Sequence, residues 1–230
     1  MSSFPRWQLH RGYWKSGVRE NTMQSFIAAK RLGAEMVELD VQLSKNKVPV
    51  VFHDLNLKRL FHIDQKVSQT SLEDLKTLNV PLLSQVLQSD EVPPYLNVEL
   101  KIKTFFCYGL VRAVISELRK QKKKKILISS FNPICLLWVK LLEPKLPRAL
   151  IIHDRTLLMG FMFKIYKFLS SPQYLNVNYK LIDEELPRAR IIDQKLPVMV
   201  WTVNESDKAR FYLERGAVSI ISDELLKSNL

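Results

Sequence analysis

YLNVELKIKTFFCYGLVRAVISELRKQ (95–121) contains the unit from which most of the chain is built. Residues 95–101 form a short apolar run that reads as a buried strand, and 105–121 then carries apolar residues at helical spacing. The unit recurs downstream as strand 125–131 with helix 133–143, strand 148–153 with helix 156–169 and strand 174–179 with helix 183–192. Strand 197–203 with helix 205–215 follows, and strand 217–222 closes the series. Upstream, strand 7–11 precedes a helix over 21–33. Met23, Phe26, Ile27 and Leu32 fall on one face of that helix, and Gly33 marks its end. Two extended segments, 36–43 and 48–54, are joined by the polar SKNK. Residues 55–94 lack a strong strand but hold two short helices, 71–78 and 83–89, the first opened by a Ser71–Asp74 capping pattern.

Regular β/α alternation over 230 residues predicts an α/β protein, a (β/α)8 TIM barrel forming a single domain over 1–230. A small insertion, 55–94, follows its second strand region. Nine segments read as extended, so eight barrel strands remain if one is merged or assigned to a loop. A doubly wound open sheet is the competing architecture, but no GxGxxG or phosphate-binding glycine loop follows any strand.

At 47% hydrophobic and 25% charged residues, the composition is that of a globular protein with a full core. Cys107 and Cys135 stand in apolar surroundings and suggest no disulfide framework, which points to a reducing compartment. The N-terminal MSSFPRWQLHRG lacks the apolar stretch of a secretory signal. No run approaches the roughly 18–20 apolar residues of a membrane span. A cytoplasmic location is therefore expected. With 35 Lys and Arg against 23 Asp and Glu, the net charge of +12 favours anionic partners. Zinc-finger, helix-turn-helix and RNA-recognition signatures are missing, so nucleic acid is not an expected partner.

The reactive side chains cluster at the ends of apolar runs: WQLHRG (7–12), EMVELD (35–40), VPVVFHD (48–54) and YLNVELK (95–101). In a parallel barrel these ends meet at one face. Glu38 and Asp40 are two apart on a strand and share a face, as do Glu99 and Lys101 on another. Three converging carboxylates repel one another, and a divalent cation relieves that repulsion. Ligands that are all oxygen favour Mg²⁺ or Ca²⁺, with Mn²⁺ also admissible, over zinc. His10 and His53 end two separate strands and make a natural acid/base pair, since imidazole titrates near neutral pH. Arg11 and Lys101 supply donors suited to phosphate oxygens, and Trp201 at a strand end can pack against the carbons of a substrate. Acid/base groups beside hard oxygen ligands suit metal-assisted cleavage of a phosphate ester. Glu20 and Asn21 read as organisers of the first loop and helix start, and Asp54 as a residue that orients a neighbour.

H-R-G at 10–12, E-N-T at 20–22, E-L-D at 38–40, H-D at 53–54 and E-L-K at 99–101 resemble the glycerophosphodiester phosphodiesterases of the short, single-domain, bacterial type. VPLLSQVL at 80–87, ISSF at 128–131, WTVN at 201–204 and IISD at 220–223 extend the resemblance nearly end to end. It implies a (β/α)8 barrel and one divalent cation held by Glu38, Asp40 and Glu99. His10 and His53 would be the acid/base pair, and 55–94 the family's small insertion. The implied reaction is hydrolysis of glycerophosphodiesters to glycerol 3-phosphate and an alcohol. A lysophospholipase D activity on lipid diesters is the alternative, and a non-catalytic lipid- or phosphate-binding module a second. The chain departs from the family pattern at Arg19, where Pro is usual, and at Phe61, where Thr is usual. These positions bear on substrate contacts and not on the acid/base or metal residues.

Two basic stretches complete the reading. RKQKKKK (119–125) closes a helix and precedes a strand, which puts it on the barrel face opposite the site as a solvated helix end. TLLMGFMFKIYKFL (156–169) is more apolar than one buried stripe requires, and begins at the catalytic end. It is a candidate for peripheral contact with an anionic membrane, with Arg155, Lys164 and Lys167 assisting, and equally for a dimer contact or deep burial.

Overall fold

The computed structural model of the chain describes residues 4–102, 104, 106–153, 161–183 and 196–224. Eight parallel strands close into a barrel: β1 (Trp7–His10), β2 (Met36–Leu43), β4 (Tyr95–Leu100), β5 (Lys125–Ser130), β6 (Arg148–Ile152), β7 (Tyr174–Asn178), β8 (Val198–Trp201) and β9 (Ser219–Ser222). Closure comes from β1, which pairs with β2 on one side and with β9 on the other. The ninth extended segment is β3 (Pro49–Val51), and it is neither merged nor a loop. It folds back antiparallel on the end of β2, with Val41 opposite Val51 and Leu43 opposite Pro49. The SKNK sequence is the hairpin turn, closed by a hydrogen bond from Lys47 N to Ser44 O at 3.0 Å.

The helices outside the barrel are α1 (Met23–Arg31), α2 (Lys58–Phe61), α3 (Leu72–Thr77), α4 (Leu83–Gln88), α5 (Tyr108–Arg119) and α6 (Pro133–Leu142). After these come α7 (Phe161–Ser170), α8 (Tyr179–Asp183) and α9 (Ser206–Glu214). Thr22 caps α1 through a reciprocal capping box with Ser25, and Ser71 accepts from Asp74 N to open α3. Residues 156–160 and 184–195 lie outside the described residues. The helix expected over 183–192 therefore has no described counterpart, while α8 occupies the turn just before it. In α7, Phe163 is buried against the barrel, whereas Met162 and Phe168 face outward. Any lipid contact of this segment rests on the latter two.

Alternation along the strands divides the barrel into distinct environments. Outward side chains such as Leu39, Val98, Ile128 and Val177 join α1, α4, α5, α6 and α9 in the main core. The barrel interior is plugged at its N-terminal end by Met36, Leu127, Ala149, Tyr174 and Met199, with Phe4 packed beneath. Above that plug lies a buried polar layer: Ser129 Oγ donates to Asn97 Oδ1, Asn97 Nδ2 to Gln8 Oε1, and Gln8 Nε2 to Ser219 Oγ. Every member therefore has a partner, as buried polar groups require. Residues 55–94 pack Leu57, Val67, Leu75 and Val80 beneath β3 as a small core of their own.

The basic run at 119–125 lies at the N-terminal face, as expected. Lys123 pairs with Asp90, Arg119 with Glu143, and Lys124 Nζ donates to Val92 O.

One backbone position is dictated by close approach. Arg11 and Gly12 both have positive φ, 60° and 78°, so the chain turns sharply off β1. A Cβ at Gly12 would lie 2.5 Å from Ser25 Oγ and 2.8 Å from the Ser25 carbonyl carbon. Gly12→Ala should therefore lower stability by about 1–3 kcal/mol through overpacking alone, with left-handed strain in addition. Urea unfolding of the variant beside the parent measures this, and unchanged midpoints would contradict it.

Candidate active site

All eight barrel strands and the loops that follow them build one cleft at the C-terminal face of the barrel, of about 210 Å³ and lined by His10, Arg11, Glu38, His53, Glu99, Lys101 and Trp201 among others. All eight residues expected from the sequence converge here; of these only Asp40, which lies beneath the lining, is not itself part of the cleft wall. The convergence follows from strand register. His10 stands beside Glu38, and Asp40 beside Glu99, so adjacent parallel strands deliver their inward residues at matching heights.

Glu38, Asp40 and Glu99 are buried, and one carboxylate oxygen from each lies within 4.8 Å of the others. Asp40 is held on both sides by Asn21, whose Nδ2 donates to Oδ2 at 2.7 Å while its Oδ1 accepts from Asp40 N at 3.1 Å. Lys101 Nζ sits 2.6 Å from Glu99 Oε1 and 3.1 Å from Asp40 Oδ1, and Arg11 Nε lies 3.3 Å from Asp40 Oδ2. Glu38 Oε2 accepts from the Arg11 backbone N–H, but its Oε1 is buried with no hydrogen-bond partner.

The charge states follow. Burial, then repulsion from Asp40 and Glu99, pushes Glu38 well above the usual carboxylate range. Burial and Asp40 push Glu99 up to about 7. Burial would raise Asp40 too, but Lys101 and Arg11 overcome it and hold that carboxyl far below the usual range. The protein's own cations thus neutralise one carboxylate of three. Two protonation-prone carboxylates and an orphaned buried oxygen fit a hard divalent cation bound by Glu38, Asp40 and Glu99.

The two histidines have the same support. His10 Nδ1 is 2.7 Å from Asp223 Oδ1, and His53 Nδ1 is 2.7 Å from Asp54 Oδ1. In each case Nε2 is the nitrogen left for the cleft. Asp223 is fixed in turn by Asn204, which donates to its Oδ2 and accepts from its backbone N–H. Gln42 Nε2 donates to the carbonyls of Phe52 and Asp54 and so anchors the loop bearing His53. Burial first, with Lys101 and Arg11 against the pull of Asp40, lowers the His53 pKa, so its imidazole is neutral at pH 7.

Asp54 behaves as a partner of its neighbour, as expected. Two residues were not anticipated. Asp223, from the far end of the chain, is the partner of His10. Arg59 on α2 donates through Nε to Asp54 and through both terminal nitrogens to Glu20, whose carboxylate also accepts from Arg11. Against the burial that would raise them, Asp54 and Glu20 are held below the usual carboxylate range by these contacts, with Arg59 foremost. In the sequence Asp223 stands only as the last residue of IISD at 220–223. The two departures from the family pattern also touch: the Arg19 guanidinium lies 4.6 Å from the centroid of the Phe61 ring, and its Nη2 donates to Leu78 O.

Trp201 is half-buried, donates through Nε1 to Asn176 O and stands edge to face with Phe131, 5.9 Å between centroids. Both rings also line a wider groove of about 830 Å³ that leaves the cleft past Leu100, Ile102, His153 and Asn178. Trp201 is thus a wall of the site rather than a plug of the barrel.

A model of the Glycerophosphoryl diester phosphodiesterase family matches residues 10–227. The chain is 27% identical to a glycerophosphodiester phosphodiesterase of Caldanaerobacter subterraneus subsp. tengcongensis, over 94% of this chain and 92% of that one. It is 24% identical to a lysophospholipase D of Mus musculus, over 89% and 79% of the two chains. Its fold is similar to a phosphodiesterase of Oleispira antarctica solved with its product sn-glycerol-3-phosphate, at a TM-score of 0.83 and 24% identity, covering 95% and 93%.

Protons and a cation should compete for Glu38 and Glu99. Both carboxyls take up protons at higher pH than ordinary carboxylates, Glu99 at about 7, so divalent-cation affinity should fall as pH is lowered. Calorimetry of Mg²⁺ or Ca²⁺ binding should show proton release in buffers of differing ionisation heat, and Glu38→Gln should bind far more weakly. Affinity independent of pH and of Glu38 would contradict the assignment.

Proposed function

The chain belongs to the glycerophosphoryl diester phosphodiesterase family, and we propose that it hydrolyses glycerophosphodiesters to glycerol 3-phosphate and an alcohol. The reading is carried by one arrangement: two carboxylate-supported histidines flank a three-carboxylate cluster in a cleft that also presents Arg11 and Lys101. A binding module would not need two imidazoles with their Nδ1 atoms tied to carboxylates and their Nε2 atoms left for the cleft.

Arg11 and Lys101 bind the non-bridging phosphate oxygens and offset the charge that grows on them in the transition state. A divalent cation held by Glu38, Asp40 and Glu99 would supply further charge neutralisation at the phosphate. His53, neutral at working pH, takes the proton of the attacking oxygen on Nε2, while Asp54 fixes its orientation and stabilises the resulting imidazolium. His10, held by Asp223, delivers a proton to the departing alkoxide. Where the substrate has a free glycerol 2-hydroxyl, that hydroxyl attacks first, and water then opens the cyclic phosphate with the histidine roles reversed. Trp201 and Phe131 present apolar surface for the glycerol carbons.

The second reading, cleavage of a lysophospholipid, is favoured by the groove past Ile102 and His153, which has room and apolar wall for an alkyl chain. With it we place peripheral contact with an anionic membrane through α7. Among the described residues no helix is long and apolar enough to cross a membrane.

Hydrolysis of glycerophosphocholine should require a divalent cation and stop on addition of EDTA. Comparison with a lysophospholipid decides which substrate the groove serves. His10→Ala and His53→Ala should each lower kcat by roughly 10²–10⁴-fold with metal affinity retained. A loss below about threefold in either variant would remove that histidine from the mechanism.

Arg59 is a positioning residue by the same geometry. Its replacement by Ala should cost about 10–100-fold in kcat with KM little changed. Lys should rescue only part of this loss, since an ammonium cannot span Asp54 and Glu20 as a guanidinium fork does. Full rescue by Lys, or an effect confined to thermal stability, would overturn the role.

A further inference from the structure

The net charge of this protein is concentrated in one stretch of its sequence. Residues 100–182 hold 16 of its 35 Lys and Arg but only 3 of its 23 Asp and Glu; six of those cations belong to the 119–125 run at the N-terminal face, Lys101 lies in the cleft and Arg148 is buried. Two of the three acids, Glu117 and Glu143, are already in ion pairs with Lys120 and Arg119. Arg112, Lys120, Lys145 and Lys164 are all exposed.

The outer helices of that region are consecutive neighbours. α6 packs on both α5 and α7, the Tyr108 ring meets Trp138 edge-on at 4.8 Å, and Lys140 Nζ reaches Ser171 Oγ past the end of α7. Eight large hydrophobic side chains are exposed among the described residues, and five of them lie here: Phe106, Tyr108, Leu141, Met162 and Phe168. Phe106 is 94% exposed and Phe168 81%, so both rings stand bare among the described residues. Basic side chains interleaved with bare Phe, Leu and Met are what an anionic bilayer surface accommodates: the cations meet lipid headgroups and the apolar groups enter the acyl boundary. Nucleic acid would use the charge and could stack on the rings, but gives Leu141 and Met162 nothing to bury against.

We propose that the α5–α6–α7 face is a docking surface for an anionic lipid bilayer. It extends the proposed contact of α7 to a three-helix face and stands apart from the hydrolase reading, because none of its residues lies in the cleft. Each helix starts at the catalytic end of the barrel, where Phe106, Tyr108 and Met162 stand. Docking therefore brings that rim, beside the groove lined by Leu100 and Ile102, to the membrane.

Flotation with phosphatidylcholine vesicles, with and without phosphatidylserine, tests this on the full chain. The parent should float several-fold more with the anionic vesicles, less so at high salt because exposed charges are then screened. Leu141→Ser with Phe168→Ser, and separately Arg112→Glu with Lys164→Glu, should each reduce flotation several-fold. Both variants should keep the parent's hydrolysis of soluble glycerophosphocholine, which also shows that they are folded. Equal flotation with neutral and anionic vesicles overturns the proposal, as does full binding by both variants. A parent that dimerises through Leu141 and Phe168 and ignores vesicles overturns it in favour of a second copy. Displacement by duplex DNA, with the Leu141/Phe168 variant unimpaired, overturns it in favour of a polyanion patch. Vesicle binding by a parent that hydrolyses no diester supports the docking face and counts against the enzyme reading alone.

Discussion

Three carboxylates packed within 4.8 Å of one another at the mouth of the barrel are the constraint on which the site turns. An isolated buried carboxylate is unstable by several kcal/mol relative to water, and a second and third beside it make matters worse. Lys101 and Arg11 answer for Asp40, while Glu38 and Glu99 shift toward the protonated state. The cluster is tolerable as a protonated network or as a cation site. Its neighbours explain why it is not simply expelled: the carboxylates stand on β2 and β4, central to a closed barrel, and Asn21 grips Asp40 from the first helix start.

That arrangement requires a barrel interior with graded polarity. An apolar plug of Met36, Leu127, Tyr174 and Met199 closes the N-terminal end. A satisfied polar layer through Gln8, Asn97, Ser129 and Ser219 follows, and the charged cluster lies above it. Each step upward is more polar, and all three layers are buried. The interior therefore contributes less hydrophobic stabilisation than one filled with branched aliphatics, and the burden passes to the outer core between strands and helices, where Val, Leu and Ile dominate.

The segment between β3 and β4 is more than an appendage. Its first helix supplies Arg59, which ties Asp54, the partner of His53, to Glu20, the partner of Arg11. Arg19 against Phe61 adds a second brace between the same two loops. The loop that follows His10 and the segment that follows His53 are thus held in one frame of charged and aromatic contacts, the kind of support that fixes side chains at a cleft mouth.

The alternation of apolar runs and helical stretches was sufficient to fix the barrel, because a closed parallel sheet with covering helices leaves that pattern in the chain. The convergence of the three carboxylates and the two histidines was legible for the same reason, since strand ends of a barrel meet on one face. The sequence also marked Asp54, adjacent to His53, as an orienting group. It could not reveal that Asp223 supports His10 from 213 positions away, because only the pairing of β9 with β1 makes them neighbours. Nor could it show that 48–54 would turn back as an antiparallel partner of β2, since a short apolar strand has the same pattern whichever way it runs. That Arg59 joins Asp54 to Glu20 was decided only when the insertion folded over the mouth. The inward or outward bearing of Phe163, Met162 and Phe168 within one uniformly apolar helix was likewise decided by packing. Local pattern specifies elements and their buried faces, whereas partners distant in sequence are assigned only by the closure of the barrel.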